Sequence, residues 1–200
     1  GGKAGSNADS HNHNDVGSVT LYRDGRPLLI DVGVETYSKK TFSPQRYEIW
    51  TMQSGWHNLP QFDPDGAKYD QQPGAAFAAA DVTVTDALDG LAMDLAPAYG
   101  SVPGLGRYRR SVHLTDTGLT LHDETDYPGT VALTLMSVEK PTVDGDTVAF
   151  GALAAAAVTG ADKIVTEAVP IADPRLRQAW PGTLYRTRIY FTQQLSLVIE

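Results

Sequence analysis

Apolar and polar residues alternate with a period of two along most of the chain, and no stretch longer than about two turns follows a 3.6-residue period. The alternation predicts strands over residues 16–22, 27–34, 46–53, 82–85, 107–115, 119–125, 130–138, 147–152, 164–169, 183–191 and 195–199. Asp24-Gly25 separates the first two as a hairpin dipeptide that accepts left-handed dihedrals. Asp116-Thr117-Gly118, Tyr127-Pro128-Gly129 and Asp144-Gly145-Asp146 mark further turns. Residues 173–180 offer the one short helix, with Pro174 in its first turn and Pro181 after it. Residues 59–80 carry Pro60, Pro64 and Pro73 and read as a long loop. Many short strands with frequent Gly and Pro predict an all-β fold: a single-domain antiparallel β-sandwich of two packed sheets with little helix.

Composition narrows the chemistry. The 200 residues include no cysteine, so disulfides and thiolate metal sites are excluded and any metal must sit on His, Asp or Glu. A net charge of −8 argues against nonspecific nucleic-acid binding, and no apolar run approaches the roughly 18 residues of a membrane span. The chain starts Gly1-Gly2-Lys3 without Met or the order of a signal peptide, which suggests a piece of a longer protein.

The densest polar cluster is Ser10-His11-Asn12-His13-Asn14-Asp15. In an extended chain, residues two apart project to one side, so His11 and His13 could face one target together. Neutral imidazoles bind zinc, with Asp31 and His57 as candidates to complete a ligand set. Asp31 ends the apolar run Leu28-Leu29-Ile30, where an acid wants a partner. Hairpin arithmetic sets Asp31 opposite Ser18, so shared ligation requires the His segment to curl back as a loop. The alternative is a polar loop whose histidines cap backbone groups. A cupin-type His-x-His site would need a Glu soon after His13, and none follows. Ser10 and Ser18 lack a nucleophile-elbow setting.

On the strand over 107–115, alternation sets Tyr108, Arg110, Val112 and Leu114 on one side and Arg107, Arg109, Ser111 and His113 on a solvated face. Residues 37–56 gather Tyr37, Lys39, Lys40, Arg46, Tyr47, Trp50 and Trp56. Such aromatic and cationic groups can grip anionic sugars, or they can be strand and core residues. Local attraction of a polyanion would fall near Arg46 or Arg107 to Arg110.

The string Ser-His-Asn-His-Asn-Asp-Val-Gly-Ser, the later Leu-Leu-Ile-Asp-Val-Gly with Tyr37, Arg-Tyr-Glu-Ile-Trp-Thr, and Trp56-His57-Asn58 together resemble the heparinase II/III-like polysaccharide lyases. The resemblance implies a C-terminal β-sandwich that leans over an N-terminal (α/α) toroid. It implies a zinc site at His13, Asp31 and His57, a cleft-facing catalytic His11, and substrate contacts from Tyr37, Arg46 and Tyr47. It also implies β-elimination on an acidic, uronate-containing glycan of heparin, heparan sulfate or alginate type, in the periplasm or outside the cell. A noncatalytic carbohydrate-binding or scaffold module is the alternative, and a cupin-like metal enzyme a third.

Overall fold

The computed structural model describes every residue except Ser10 and Ser101, so the first residue of the polar cluster lies outside the described set. Among the described residues fourteen strands form: β1 Ser6–Asn7, β2 Leu21–Arg23, β3 Arg26–Leu29, β4 Pro60–Phe62, β5 Gly74–Ala78, β6 Ala80–Val84, β7 Gly90–Asp94, β8 Tyr108–Leu114, β9 Leu119–Thr125, β10 Val131–Ser137, β11 Pro141–Asp144, β12 Thr147–Phe150, β13 Ala154–Pro170 and β14 Thr183–Ile199. Among the described residues the one α-helix, α1, spans Leu176–Ala179.

Among the described residues every strand pairing is antiparallel. The largest sheet runs β11-β12-β13-β14-β9-β8-β7-β6 and branches through β10 to β4. β14 makes the branch: its first half pairs with β10 from Val131↔Phe191 to Ser137↔Tyr185, and its second half pairs with β9 from Gln194↔Glu124 to Ile199↔Leu119. The pairing with β13 shifts register between Thr159 and Lys163, opposite this change of partner. The two halves thereby become the layers of a β-sandwich.

Alternation selects the core. Leu119, Leu121, Asp123 and Thr125 of β9 all point inward, as do Leu195, Leu197 and Ile199 of β14. Phe62 anchors the interior, its ring 4.8 Å from Tyr99, 5.5 Å from Tyr108 and 5.1 Å from Tyr127, all near edge-on. A second apolar cluster joins Ile30, Val32, Met136, Val169, Ile171, Leu176 and Leu184, flanked by Trp50, Trp56 and Trp180.

Several expectations change. The Asp24-Gly25 hairpin forms with φ of 51° and 75°, but its strands are shorter than the alternation predicts and shift register by one between Leu21 and Tyr22. The strand expected over 46–53 is a chain of 3-10 turns through Lys40–Phe42, Pro44–Glu48, Trp50–Met52 and Ser54–Trp56. The Ser43 side chain accepts from the Gln45 amide with Pro44 in the first turn, a start signal stronger than an alternation with no neighbouring strand to pair. Residues 59–80 contribute β4 and β5 rather than loop alone, and the two strands expected over 183–199 are one. Among the described residues the strands form open sheets and no enclosed cupin barrel.

Candidate metal centre

Three irregular segments bring His13, Asp31 and His57 together, with one ligand atom from each within 4.8 Å of the others. Asp31 follows β3. His57 follows the turn Ser54–Trp56, and the alignment of both owes much to buried Asn58. The Asn58 side chain donates to the Val19 carbonyl at 2.7 Å and the Ile30 carbonyl at 3.1 Å, and accepts from the Met136 amide at 2.7 Å. His57 is therefore one residue from this amide, and Asp31 one residue from a carbonyl that it holds.

The His13 segment curls back as required. His11 adopts a left-handed backbone with φ of 60°, the Asn14 amide donates to the Met52 carbonyl at 3.0 Å, and the Asn14 side chain donates to the Gln71 carbonyl at 2.9 Å. That turn overturns the extended-chain expectation that His11 and His13 share a target. His11 is exposed and stacks toward Tyr37, with ring centroids 6.4 Å apart. The His13 ring turns to His57, 5.3 Å away.

The hydrogen bonds around the triad fix donor and acceptor roles. His57 is fully buried, and its Nε2 lies 3.1 Å from the Thr51 carbonyl, which can only accept; the network thus assigns the proton to Nε2. Nδ1 is left without a hydrogen-bond partner, 3.2 Å from Asp31 Oδ2. In neutral His57 that sets a lone pair against a carboxylate, an arrangement that a shared cation relieves. Asp31 Oδ1 accepts from the Gly33 amide at 2.7 Å, leaving Oδ2 free to face the pair. Two imidazoles and a carboxylate, each oriented by a backbone partner of its own or by packing, suit zinc with a water as fourth ligand.

The electrostatics agree with ligands that bind in unprotonated form. Burial, reinforced by the nearby His57 ring, pushes the His13 imidazole down to about 4. Burial opposes ionisation of Asp31, but a hydrogen bond from His57 in its protonated form, the positive charge of the protonated His57 and His13 rings and the Gly33 amide outweigh it and hold the carboxyl well below the usual range; with both imidazoles neutral, that compensating charge would have to come from a cation.

The remaining candidates divide. Tyr37 is exposed beside His11, with Phe42 edge-on at 5.5 Å and the Arg175 guanidinium 4.5 Å above its ring. Arg46 donates to the Asn12 carbonyl at 2.9 and 3.2 Å and to the Thr41 carbonyl at 3.0 Å, and the Tyr47 hydroxyl donates to Asn12 Oδ1 at 3.0 Å. Both therefore brace the residue between His11 and His13. Arg110, grouped with its neighbours as an anion-attracting surface, is instead fully buried against Asp123, and Arg107 is paired with Glu124 at 2.8 Å. Sequence reasoning gave no role to Asn58, Gln71 or Arg175; the first sits inside the Trp-His-Asn string, and the other two carry no local signal.

Comparison with known proteins extends this picture. Residues 1–193 match the family described as Heparinase II/III-like, C-terminal. Among solved structures, a heparinase III gene product with methylated lysines is 18% identical with a TM-score of 0.71, covering 99% of this chain and 31% of that one. Another heparinase III is 21% identical with a TM-score of 0.62, covering 95% and 30%. A mutant heparan sulfate lyase from Pedobacter heparinus is 16% identical with a TM-score of 0.61, covering 94% and 30%. The chain thus spans less than a third of the length of these structures, and at such identities each likeness establishes the fold. No curated protein sequence matches the chain. Among the described residues no helix is long and apolar enough to cross a membrane.

Proposed function

The chain belongs to the heparinase II/III-like C-terminal family, and on that premise we propose that it is the β-sandwich part of a secreted or periplasmic polysaccharide lyase acting on an acidic, uronate-containing glycan. The observation that carries this reading is the convergence of His13, Asp31 and His57 from three separate segments, beside an exposed His11. Zinc held by those three side chains would lock the segments together and compensate the Asp31 charge.

β-Elimination removes the C5 proton of the uronate, forms the C4–C5 double bond and expels the O4 group, which takes up a proton. The C5 proton becomes acidic enough only when the uronate carboxylate is neutralised or hydrogen-bonded. His11, presented on its left-handed turn, serves as that donor or as a proton carrier. Tyr37 offers an aromatic face next to it, and Arg46 and Tyr47 contribute by fixing Asn12 and hence the His11 ring. An N-terminal toroid supplies the remaining acid and base groups, so the 200-residue chain alone turns over negligibly.

The test is to incubate the chain, and a longer protein that includes it, with heparan sulfate, heparin and alginate while following the ultraviolet absorbance of the unsaturated product. Turnover by the longer protein that is lost in His11→Ala supports the reading; vigorous turnover by the chain alone refutes it. The exposed pair Tyr37 and Phe42 favours a second reading, a noncatalytic glycan-binding module, distinguished by glycan binding without activity in the longer protein.

A further inference from the structure

The described interior contains one fully buried ion pair, which the reaction does not use. Arg110 on β8 and Asp123 on β9 face each other across the strand pair, both with no exposed side-chain surface. Arg110 Nε donates to Oδ1 at 2.8 Å and Nη2 to Oδ2 at 2.7 Å, and the Tyr108 hydroxyl also donates to Oδ2 at 2.7 Å. The remaining nitrogen, Nη1, reaches out of the sheet to two loop carbonyls, Gly17 at 2.9 Å and Asn58 at 2.8 Å.

Those two carbonyls belong to the segments that carry the histidines. Asn58 directly follows His57, and its side chain ties it to Ile30 beside Asp31. Gly17 lies four residues past His13 with little slack between them, because Gln71 holds both the amide and the carbonyl of Val16, at 3.1 and 2.6 Å. Gly17 itself has φ of 89°, and a Cβ there would come within 2.5 Å of the Leu95 side chain, so its carbonyl has a fixed direction. Burying a guanidinium and a carboxylate gains little stability over apolar groups of the same volume. What the pair supplies that apolar groups cannot is a forked donor spanning two loops.

We propose that the Arg110–Asp123 pair is a positioning unit that, through the Gly17 and Asn58 carbonyls, sets the separation of the His13 and His57 side chains and so tunes the affinity of the metal centre. The inference rests on the metal-site reading above. Arg110 touches neither ligand and acts only through the backbone.

The experiment compares zinc affinity by calorimetric titration in the parent chain, in Arg110→Met/Asp123→Leu and in Arg110→Lys. The double substitution removes both charges but strands the Gly17 and Asn58 carbonyls and the Tyr108 hydroxyl, so the metal-free melting temperature falls by several degrees while circular dichroism still reports the parental fold. Its zinc affinity falls about 10- to 100-fold, the range expected when a group that orients ligands is lost. Arg110→Lys keeps a charge opposite Asp123 but cannot span both carbonyls, and it weakens zinc binding in the same direction. The ring-nitrogen NMR shifts of His57 in the metal-free state move in both variants, a change that a purely stabilising pair would not produce. A folded double variant with parental zinc affinity overturns the proposal. So does failure of both variants to fold, which would make the pair a stability element. A parent chain that takes up no zinc removes the metal-site reading itself, whatever the variants do.

Discussion

The triad geometry makes a prediction whose size does not depend on knowing the affinity. Three donors converge at one place, so the proposed site should take up one ion per chain. A ligand bound only by the folded state adds RT ln(1 + [L]/Kd) of stability, so above saturation each tenfold rise in free zinc contributes about 1.4 kcal/mol. For a chain of this size, 1 kcal/mol moves the melting temperature by about 2–4 °C. The midpoint should therefore climb by roughly 3–6 °C per decade of free zinc. Scanning calorimetry in zinc buffers of stepped free concentration reads this slope directly, and a chelator should return the midpoint to a zinc-independent floor. His13→Ala should abolish the slope, and His57→Ala should do the same while also lowering the floor, because it empties a fully buried site. A flat midpoint across the series, or an unchanged slope in His13→Ala, would refute the argument from the unpartnered His57 Nδ1.

Three further outcomes follow from neighbouring features. His13 in the metal-free fold has its pKa lowered to about 4 from an ordinary 6.5, so the unfolded chain takes up the proton first as pH falls; stability should drop between about pH 6.5 and 4, and urea midpoints should fall less steeply in His13→Gln. His11→Ala should leave the melting temperature and zinc slope nearly unchanged, since the side chain is exposed, while cutting glycan affinity of the chain measured by titration with heparan sulfate oligosaccharides; parental affinity would count against its placement in the cleft. Phe62→Ala, which removes the ring gripped by three tyrosines, should cost about 3–5 kcal/mol by urea unfolding yet retain the zinc slope, separating core from site.

Much of this organisation is legible in the residue pattern, and the exceptions share a cause. The strands β8 and β9 and the Asp24-Gly25 turn follow from alternation and turn chemistry, because each pairs with its neighbour in sequence. The same alternation sets Arg110 beside Tyr108 and Asp123 beside Leu121, so two opposite charges falling on inward positions of adjacent strands were a readable sign of a buried pair. The segment through Arg46 and Trp50 alternates like a strand but forms none, because Arg46 serves the Asn12 carbonyl and Trp50 serves Glu35 and the second core cluster rather than a sheet face. His11 escaped the period-two argument for a local reason: a single left-handed residue rotates its side chain away from the one two positions on. Convergence of His13, Asp31 and His57 was a matter of loop closure, which local pattern does not encode.

The division of labour within the chain follows from that last point. A β-sandwich orders its strands by ladders, but the residues that could hold a cation sit on segments without ladder partners, where fixing each backbone residue costs about 1–2 kcal/mol of conformational entropy. Packing alone is a poor substitute there, since Asp31 and His13 must keep a face open. Buried amides and the guanidinium replace the ladder: Asn58 ties the strand-end carbonyl before Asp31 to the residue after His57, Gln71 clamps Val16, and Arg110 joins both loops to β8 and β9. Each of these groups is itself buried and hydrogen-bonded, so displacing one leaves a polar atom stranded in the interior at about 1–3 kcal/mol. In the proposed site the ligand spacing would therefore be enforced from behind, by groups that never reach the ion, leaving the exposed turn bearing His11 for the glycan contact the proposal assigns to it.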